Sequence, residues 1–501
     1  MFQQVPLRFR PGLYANRSPR SSEQRWVDGN LVRFRDGMPE QVGGWRLAEQ
    51  RDGPILGLAR EILAWRPNSQ IGRYAFIGTH LGAYVTNGSD LDDVTPVGFA
   101  AGREHTLVGA GYGAGPYGDD LYGTRRDTSS SLLDAGLWTS DMFGEILLAC
   151  FNGSGVVYDF EVGTDATLQV VAGITARALC VSDERHAFYF GMNGDPSFVG
   201  WSDREDYTNV TPAAGNRAGG YTVAATSPFQ CGRRVRGYVL GWTATELFGF
   251  FPLNNSLVYG RERLGTGCGA AGPQSVAVVT DNQAETAYWM GVDAFHAFDG
   301  AVRELDCELR DYVFNDINPV QRAKFQARTN ANFSEIWFWY CSAGSIEIDR
   351  AVILNYAKGT WSKANIARTC WLDSGIFAKP LALDPDGNVF EHEVGDTADG
   401  EQMGSFVLSH PLTIGVGQQL IECDGFWPDM QDGSGDCEVS FIGRDYPGGP
   451  DLTFGPDVFA STDEKLDLSI SVRQLAVRIE GIDGYWELGT PLLSWQPGSG
   501  R

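Results

Sequence analysis

The feature that most constrains this chain is a strand–turn–strand pattern that recurs along most of its length. Runs rich in β-branched and aromatic residues reach a polar turn with Gly, Asn or Asp, and a second run then returns. Seven such turns lie about 50 residues apart on average, at Asn87-Gly88, Val162-Gly163, Ser202-Asp203, Asn254-Asn255, Asp299-Gly300, Lys358-Gly359 and Asp386-Gly387. That spacing is typical of four-stranded propeller blades. The sequence therefore predicts an all-β protein in which residues 51–400 form a β-propeller of about six to eight blades.

Individual strands can be assigned inside this pattern. Glu335–Tyr340 is expected to pair with residues 351–356, and residues 287–290 with residues 294–298. Ile146–Phe151 is an uninterrupted apolar run, as expected of an inner blade strand that is buried on both faces. The 63 glycines and 12% aromatic residues agree with a β-rich chain with many turns.

The stretch at 201–221, WSDREDYTNVTPAAGNRAGGY, shows the repeated unit most fully. Its Val-Thr-Pro, which ends at Pro212, also occurs after an acidic turn at residues 94–96. The glycine pair Gly219-Gly220 allows close backbone approach. We expect the two Val-Thr-Pro strings to mark equivalent places in the repeat.

The first 50 residues form a separate basic segment that we expect to be part of an additional antiparallel β platform. Leu31, Arg33 and Arg35 share one face of a short strand because successive side chains alternate. Asp36-Gly37 is a hairpin-type turn. Residues 1–46 contain four acids and eight arginines, which are Arg8, Arg10, Arg17, Arg20, Arg25, Arg33, Arg35 and Arg46.

Residues 401–501 predict a C-terminal antiparallel β domain, half-buried and distinct from the blades. Leu466, Leu468, Ile470 and Val472 alternate with polar residues, so they share one face. The alternation changes phase at Arg473-Gln474, which predicts a bulge or a turn.

Charge is distributed unevenly along the chain. The net charge is −24, and residues 373–487 contain 23 Asp and Glu against five Lys and Arg. This excess marks either an interaction surface or a solvated acidic face. As an interaction surface, the acidic part of the last hundred residues would receive the basic first segment and join both chain ends in one platform. The acidic balance disfavours tight binding of nucleic-acid phosphates, but DNA can pass such a surface without binding.

Nine cysteines occur without any C-x-x-C spacing, which indicates buried, reduced thiols and folding in a reducing cytoplasm. The N-terminal sequence lacks the apolar core of a signal peptide. The sequence has no run of eighteen apolar residues, so we expect no membrane span.

One insertion, residues 109–123, reads GAGYGAGPYGDDLYG. Tyr112, Tyr117 and Tyr122 recur between glycines, and no Lys-Ser or Lys-Thr follows as a phosphate-binding loop requires. The insertion is either an exposed loop at a subunit contact or channel rim, or a merely flexible loop.

Motifs that would indicate catalysis or metal binding are weak in this sequence. Asp203, Glu205 and Asp206 form one acidic turn, whereas paired carboxylates for sugar hydrolysis come from different strands. Glu391-His392-Glu393 places its carboxylates opposite the imidazole, as in a solvated strand. Residues 384–388, DPDGN, begin like a calcium loop but have Gly395 where the bidentate Glu is needed, so we expect a hairpin turn.

The six histidines are scattered and no serine or cysteine has a nearby histidine partner, so the sequence offers no catalytic, cofactor-binding or metal-binding residues. We therefore expect a protein that is not an enzyme and needs no cofactor. A carboxylate pair brought together by the fold, among 63 acids, stays open.

Several turn and strand motifs resemble those of one known group, the nozzle or hub proteins of short-tailed bacteriophage tails. These form the tail tubular protein B and packaged-DNA-stabilisation group. The resemblance runs along nearly the whole chain, at Trp26 to Gly37, Gly43-Gly44-Trp45, Gly200 to Asp203, Asn209 to Gly220, Cys268-Gly269, Tyr288 to Gly291, Phe298 to Gly300, Glu335 to Trp337, Asn355-Tyr356, Gly359 to Ser362 and Trp486 to Gly489.

The resemblance implies a virion structural protein with a β-propeller body, assembled in the host cytoplasm into a homohexameric ring of the tail. Such a ring lies below the portal and adaptor, extends the tail channel, retains packaged DNA and conducts it at ejection. Its expected partners are further copies, an adaptor or portal-side protein, and tail fibre or needle proteins, with DNA in transit. The alternative is a propeller that binds or cleaves glycans at a host receptor.

Overall fold

The computed structural model describes residues 2–16, 24–48, 53–108, 132–253, 255–281, 284–412, 419–446 and 449–498. It begins with six short strands. They are β1 Gln3–Pro6, β2 Arg10–Leu13, β3 Arg25–Asn30, β4 Val32–Arg35, β5 Met38–Gln41 and β6 Trp45–Leu47. Asp36 and Gly37 both have positive φ, so they form the predicted hairpin turn between β4 and β5.

Four-stranded antiparallel sheets follow, with one short hairpin after the first of them. Blade 1 contains β7 Ala59–Trp65, β8 Tyr74–Thr79, β9 Ala83–Thr86 and β10 Leu91–Asp93, and the hairpin pairs β11 Leu107–Val108 with β12 Leu132–Leu133. Blade 2 contains β13 Trp138–Phe143, β14 Ile146–Phe151, β15 Val156–Phe160 and β16 Gln169–Thr175. Blade 3 contains β17 Ala178–Val181, β18 Ala187–Phe190, β19 Phe198–Trp201 and β20 Gly219–Thr222.

Four further sheets continue the series. Blade 4 contains β21 Phe229–Val235, β22 Tyr238–Thr243, β23 Glu246–Pro252 and β24 Tyr259–Thr266. Blade 5 contains β25 Val276–Asp281, β26 Ala284–Met290, β27 Phe295–Phe298 and β28 Val302–Glu304. Blade 6 contains β29 Gln326–Asn330, β30 Glu335–Tyr340, β31 Arg350–Asn355 and β32 Thr360–Ala364. Blade 7 contains β33 Cys370–Leu372, β34 Leu381–Leu383, β35 Val389–His392 and, as its outer strand, β6.

The first strands of these sheets form a closed ring. Each first strand contacts the next one along the series, from β7 through β13, β17, β21, β25 and β29 to β33, and β33 contacts β7 again. Within the described residues the protein is therefore a seven-bladed β-propeller, inside the predicted range of six to eight blades. The seventh blade takes its outer strand from residues 45–47, which lie inside the first 50 residues.

Short helices interrupt the strands at a few points. The described residues contain the α-helix α1 Arg310–Asp316 and the 3-10 helices Met192–Gly194, Pro319–Lys324 and Ala331–Phe333. The segment from α1 to Lys324 links blade 5 to blade 6.

Apolar side chains between adjacent blades form the propeller core. Trp138 on β13 packs against Phe76 of blade 1, with ring centroids 5.6 Å apart. A Cβ atom at Gly78 would lie 2.6 Å from the Trp138 ring, so only glycine fits there. At this contact, a large aromatic ring of one blade therefore packs against a small residue of the neighbouring blade.

The predicted strand pairs are confirmed in blades 5 and 6, where β26 pairs with β27 and β30 pairs with β31. Five of the predicted turns lie between the third and fourth strands of their blades, and Asp386-Gly387 lies between β34 and β35. Asn254 lies outside the described residues.

Ile146–Phe151 is almost wholly buried and is an inner strand of its sheet, the second strand of blade 2, as expected. The expectation about the two Val-Thr-Pro strings is wrong. Residues 94–96 follow the outer strand β10, whereas residues 210–212 lie between β19 and β20. The two Val-Thr-Pro strings are thus not equivalent, because each fits its own local loop.

Both chain ends lie together in two further sheets. These sheets, together with the β4–β5 hairpin that hydrogen-bonds to residues 486–488, are here called the platform. The C-terminal strands are β36 Phe406–Ser409, β37 Ile421–Trp427, β38 Cys437–Arg444, β39 Leu452–Phe459, β40 Leu466–Val472, β41 Gln474–Gly481 and β42 Leu492–Pro497. One sheet has the order β1-β42-β37-β40, and the other has the order β2-β3-β36-β41-β38-β39. Buried residues of both sheets, such as Phe426 and Phe441, contact each other in the core between them.

The phase change at Arg473-Gln474 has a structural cause. Arg473 is a bend at which the chain leaves β40 in one platform sheet and enters β41 in the other. Ile470 and Val472 before the bend, and Leu475 and Val477 after it, are all buried. The apolar side chains therefore change register because they enter the same core from opposite sheets.

Candidate functional site

The loops of the ring fall on two faces. Antiparallel blades place the links between successive blades, together with the loops between second and third strands, on one face, here called the upper face. His105, Lys324 and Glu347 lie in these upper loops, and Arg60 lies near the start of β7. The fold therefore brings together four charged or titratable residues from distant parts of the sequence.

These residues form a compact network, here called the upper network. Arg60 donates two hydrogen bonds to the Glu347 carboxylate, both at 2.7 Å, and a third at 2.9 Å to the carbonyl of Glu104. Lys324 Nζ lies 3.3 Å from Glu347 Oε2 and 2.7 Å from His105 Nδ1, and it donates to the carbonyl of Ile346. The side chains of Arg60 and Lys324 are 0% exposed, so their charges depend on these partners.

Burial and mutual contact shift the protonation of this network. Burial alone would raise the pKa of Glu347, but Arg60 and Lys324 lower it to about 2. Burial and the nearby charge of Arg60 lower the pKa of Lys324 to about 8. Burial and Lys324 also lower the pKa of His105. A neutral His105 can then accept the hydrogen bond from Lys324 at Nδ1.

A lysine with a lowered pKa is a feature of catalytic lysines, but Lys324 has no free approach. Its three hydrogen-bond partners surround Nζ, and its side chain is fully buried. The network therefore holds together the blade 1–2 link, the blade 5–6 link and the β30–β31 loop. It does not present a nucleophile to a substrate.

A cavity of about 280 Å³ opens beside the upper network. It is lined by Ile55, Gly57, Leu58, His80, Leu81, Glu104, Pro385 and Asp386. His80 Nδ1 accepts the N–H of Leu58, so that ring is held in one orientation. The remaining polar groups, the carboxylates of Glu104 and Asp386, suit hydroxyl or cationic groups better than phosphate.

The upper mouth of the propeller axis is closed. Thr106, in the link between blades 1 and 2, exchanges two hydrogen bonds of 3.1 and 2.8 Å with Gln321, in the link between blades 5 and 6. These links start on well-separated blades, so the contact crosses the ring. A nearby opening, lined by residues of four links including Asp134, Arg177 and Pro273, has a volume of only about 10 Å³. That is room for about one water molecule.

A second buried network joins the platform to the propeller and is here called the junction network. Arg33 on β4 donates to Glu335 at 2.9 and 3.2 Å and to Glu393 at 2.6 and 3.1 Å. Asn330 donates to Glu393 at 2.8 Å, and the Arg33 guanidinium lies 3.5 Å from the ring centre of Phe333. Burial alone would lower the pKa of Arg33, but the two carboxylates raise it above the ordinary value.

The two chain ends join in one platform, as expected, but not through the arginines of the first segment. The ends meet by strand pairing, of β1 with β42 and of β3 with β36. Arg25 instead pairs with Glu308, and Arg46 with Glu391, both in the propeller part of the chain. Arg25 therefore holds the platform to the propeller, and Arg46 holds the outer strand β6 within blade 7, while backbone hydrogen bonds hold the two ends together.

The acidic turn after Trp201 is satisfied within itself and by neighbours. Asp203 accepts the N–H groups of Arg204 and Arg217, both at 2.8 Å. Glu205 pairs with Arg185 at 2.8 Å. The turn thus closes a loop and leaves no carboxylate pair facing a cleft.

Residues 384–388 form the predicted hairpin turn between β34 and β35. Asp384 accepts the N–H groups of Asp386 and Asn388 at 2.9 and 2.8 Å. The side chain that opens a calcium loop is used here to fix the turn.

The expectation of a solvated strand at Glu391-His392-Glu393 is wrong. His392 is 3% exposed, stacks on Trp45 and accepts the Arg368 Nε hydrogen at 2.9 Å. Burial and Arg368 lower its pKa well below the ordinary value. The residue is buried because the outer strand β6 comes from the N-terminal segment, which the local sequence cannot reveal.

All nine cysteines are buried and free of disulfides, as predicted. Burial raises their pKa values, for example that of Cys150 to about 12. They are therefore inert thiols in the core.

The insertion at 109–123 lies outside the described residues. The hairpin that flanks it, β11 with β12, exposes Leu107, Val108 and Leu132 by 53, 65 and 51%. Exposed apolar side chains that lie together in this way are typical of a contact surface.

The described residues contain no group of three or more His, Cys, Asp or Glu side chains placed to hold a metal ion. In the same part of the chain, none of the helices is long and apolar enough to cross a membrane.

No family model matches the sequence, and no curated protein matches it. Among solved structures, the chain is similar to a streptogramin B lyase, with 9% identity, 78% of this chain and 97% of the other covered, and a TM-score of 0.39. It is also similar to the Pan2 WD40 domain of Neurospora crassa, with 11% identity, coverages of 71 and 96%, and a TM-score of 0.39. An exo-β-1,3-galactanase from Phanerochaete chrysosporium gives 10% identity, coverages of 91 and 100%, and a TM-score of 0.30. Similarities this distant give no information about the function of this chain.

Proposed function

We propose that this protein is a structural component of a bacteriophage tail, a nozzle or hub whose copies assemble into a ring. The observation that carries the proposal is the use of its buried charges. Arg33 links the platform to blades 6 and 7, and Arg60 and Lys324 link blade 1 to the connections around blade 6. The two networks attach the platform and the blades to each other. A particle component that must withstand mechanical stress requires such attachments.

The closed axis bears on how such a protein conducts DNA. Among the residues that the structure describes, the contacts between Thr106 and Gln321 and the narrow opening beside them leave no path for a nucleic-acid strand through one propeller. The conduit in this proposal is therefore the space enclosed by several copies. A net charge of −24 suits a wall past which phosphate moves without binding.

The resemblance to the nozzle group supports the assignment through residues that build the fold. Trp201, Trp289, Trp337 and Trp486 are all at most 2% exposed. Gly43 and Gly44 lie where a Cβ atom would come within 2.4 Å of Glu393 and 2.3 Å of Thr397. Positions of close packing are thus prominent among the shared motifs.

Electron microscopy of the purified protein and of antibody-labelled phage particles tests the proposal. We expect six-fold rings, with the label at the tail. Particles that infect normally but carry no label on the tail would overturn it. So would a protein that stays monomeric at high concentration and also fails to assemble with tail complexes.

A second candidate, a glycan-binding or glycan-cleaving receptor protein, is favoured by the cavity of about 280 Å³ beside Glu104 and Asp386. Carboxylates can accept hydrogen bonds from sugar hydroxyls. Binding to a glycan array that is lost in Glu104→Gln and Asp386→Asn, with an unchanged melting temperature, would support this candidate over the first.

A further inference from the structure

A separate group of polar side chains lies on the propeller axis, on the first strands of several blades. The axial cluster comprises Glu61 on β7, Arg233 on β21, Gln274 just before β25 and Arg328 on β29. Blades on opposite sides of the ring thus send charged side chains to the same place.

Two guanidinium groups meet one amide oxygen in this cluster. Arg233 Nη2 and Arg328 Nη2 each lie 3.0 Å from Gln274 Oε1. Gln274 donates its own N–H₂ to the carbonyl of Trp138 at 2.8 Å, which fixes the direction of the amide oxygen. Two like charges are therefore held close together by a neutral acceptor.

The anionic groups nearby compensate only part of this charge. Glu61 is 4% exposed, and its Oε2 lies 3.7 Å from Arg328 Nη2. Arg233 has no carboxylate in ion-pair contact among the residues that the structure describes. Asp141 on β13 accepts the N–H groups of Met142 and Val181, both at 2.8 Å. Arg60, next to Glu61 in sequence, is already paired with Glu347.

One donor in the cluster also lacks a partner. Arg328 Nε is buried and has no hydrogen-bond acceptor among the described residues. Buried N–H groups are almost always paired, and an unpaired donor on a charged group is costly. Glu61 Oε2 is buried and without a hydrogen-bond partner in the same way. The cluster thus combines two guanidinium groups and one carboxylate with a vacant donor and a vacant carboxylate oxygen.

We infer that the axial cluster binds one small monovalent anion, of the size of chloride or formate, between Arg233 and Arg328. The anion accepts from Arg328 Nε and separates the two guanidinium charges, and Gln274 holds both in place. The site lies beneath the closed upper mouth, which limits its ligand to an ion of a few atoms.

The site has a definite pH dependence. Burial raises the pKa of Glu61, and Arg328 and Arg233 lower it in part. When pH falls below this raised pKa, Glu61 becomes neutral and both guanidinium charges remain. Binding of the anion is therefore expected to tighten toward acid pH. On β33 the nearby Cys370 stays neutral throughout, since its pKa is raised to about 12.

Thermal unfolding of the full-length protein in chloride or formate, against gluconate at equal ionic strength, tests the inference. A ligand that binds only the folded state raises the melting temperature in a saturable way. We expect this in the wild type and in Arg234→Gln, and we expect it to be lost in Arg233→Gln. Arg234 is the matched control because it is the next residue, is exposed and pairs with Asp183 at 3.2 Å.

Equal anion dependence in Arg233→Gln and Arg234→Gln would overturn the inference. So would a wild type that does not distinguish chloride from gluconate, because water alone would then fill the site. Bromide soaked into wild-type crystals gives a second test that does not depend on folding of the variant. An anomalous peak between Arg233 and Arg328 is expected, and a well-ordered cluster without that peak would contradict the anion.

Discussion

The junction network and the upper network both bury charge, but they differ in the groups that they use. The junction network sets one arginine, Arg33, against Glu335 and Glu393, so negative charge is in excess. The upper network sets Arg60 and Lys324 against one carboxylate, Glu347, so positive charge is in excess. An arginine keeps its proton throughout the accessible pH range, whereas a buried lysine does not. The difference indicates that the junction is a permanent attachment and that the upper face responds to pH.

The largest expected effect is that of Arg33→Met. The variant leaves Glu335 and Glu393 buried without their cation, and breaking a buried pair in this way costs about 3–5 kcal/mol. We expect a large fall in the denaturation midpoint and early proteolytic release of the platform. Arg46→Met is the matched control on the same segment.

Arg46 is 64% exposed on its side chain and pairs with Glu391 at 2.7 Å. An exposed pair contributes about 1 kcal/mol or less. If Arg33→Met and Arg46→Met lowered the midpoint equally, burial would not be what makes the junction strong.

Glu347→Gln is expected to come next. It removes the one carboxylate that Arg60 and Lys324 share, and the loss is about 3 kcal/mol because two buried cations then face each other. Urea denaturation measures it, with Glu104→Gln as the control. The Glu104 side chain is 56% exposed and lies 3.5 Å from His105. A loss in Glu104→Gln as large as that in Glu347→Gln would contradict the proposed role of the buried carboxylate.

The pH dependence of stability separates the two networks most directly. The pKa of Lys324 is lowered to about 8 in the folded protein from 10.5. Between these values the unfolded chain binds more protons, so stability rises as pH increases through this window. The rise is up to about 3 kcal/mol, from about 1.4 kcal/mol for each pKa unit.

Lys324→Met tests that assignment. The variant has no lysine to titrate at this position, so the rise between pH 8 and 10.5 is expected to flatten. Arg33→Met is expected to keep the rise, although it is less stable overall. A rise of unchanged size in Lys324→Met would place its origin elsewhere in the chain.

The sequence predicted the propeller because each blade is a local object. The turn at Asp299-Gly300 and the strands beside it lie within a few residues of each other, so their pattern can be read directly. The closure of blade 7 could not be read this way, because β6 and β35 are more than 300 residues apart. For that reason the local sequence predicts a solvent-exposed His392, whereas the residue is buried.

The buried networks were also missed, although the sequence contained a signal. Arg60 and Glu61 interrupt an apolar strand, and Glu335 precedes the run Ile336 to Tyr340. A charged residue at such a position is buried only if a partner meets it. The partners Glu347 and Arg33 come from distant segments, so the pattern indicates that a partner is needed without identifying it.

The smallest expected effect tests whether the junction depends on backbone packing as well as on charge. A Cβ atom at Gly44 would lie 2.3 Å from the carbonyl oxygen of Thr397, which is backbone and cannot turn aside. Gly44→Ala is therefore expected to cost about 1–3 kcal/mol through overpacking. Gly344→Ala is the control, because nothing lies within 4 Å of its Cβ position. If both variants melted at the wild-type temperature, the close approach of the backbone at Gly44 would contribute nothing measurable to the stability of the junction.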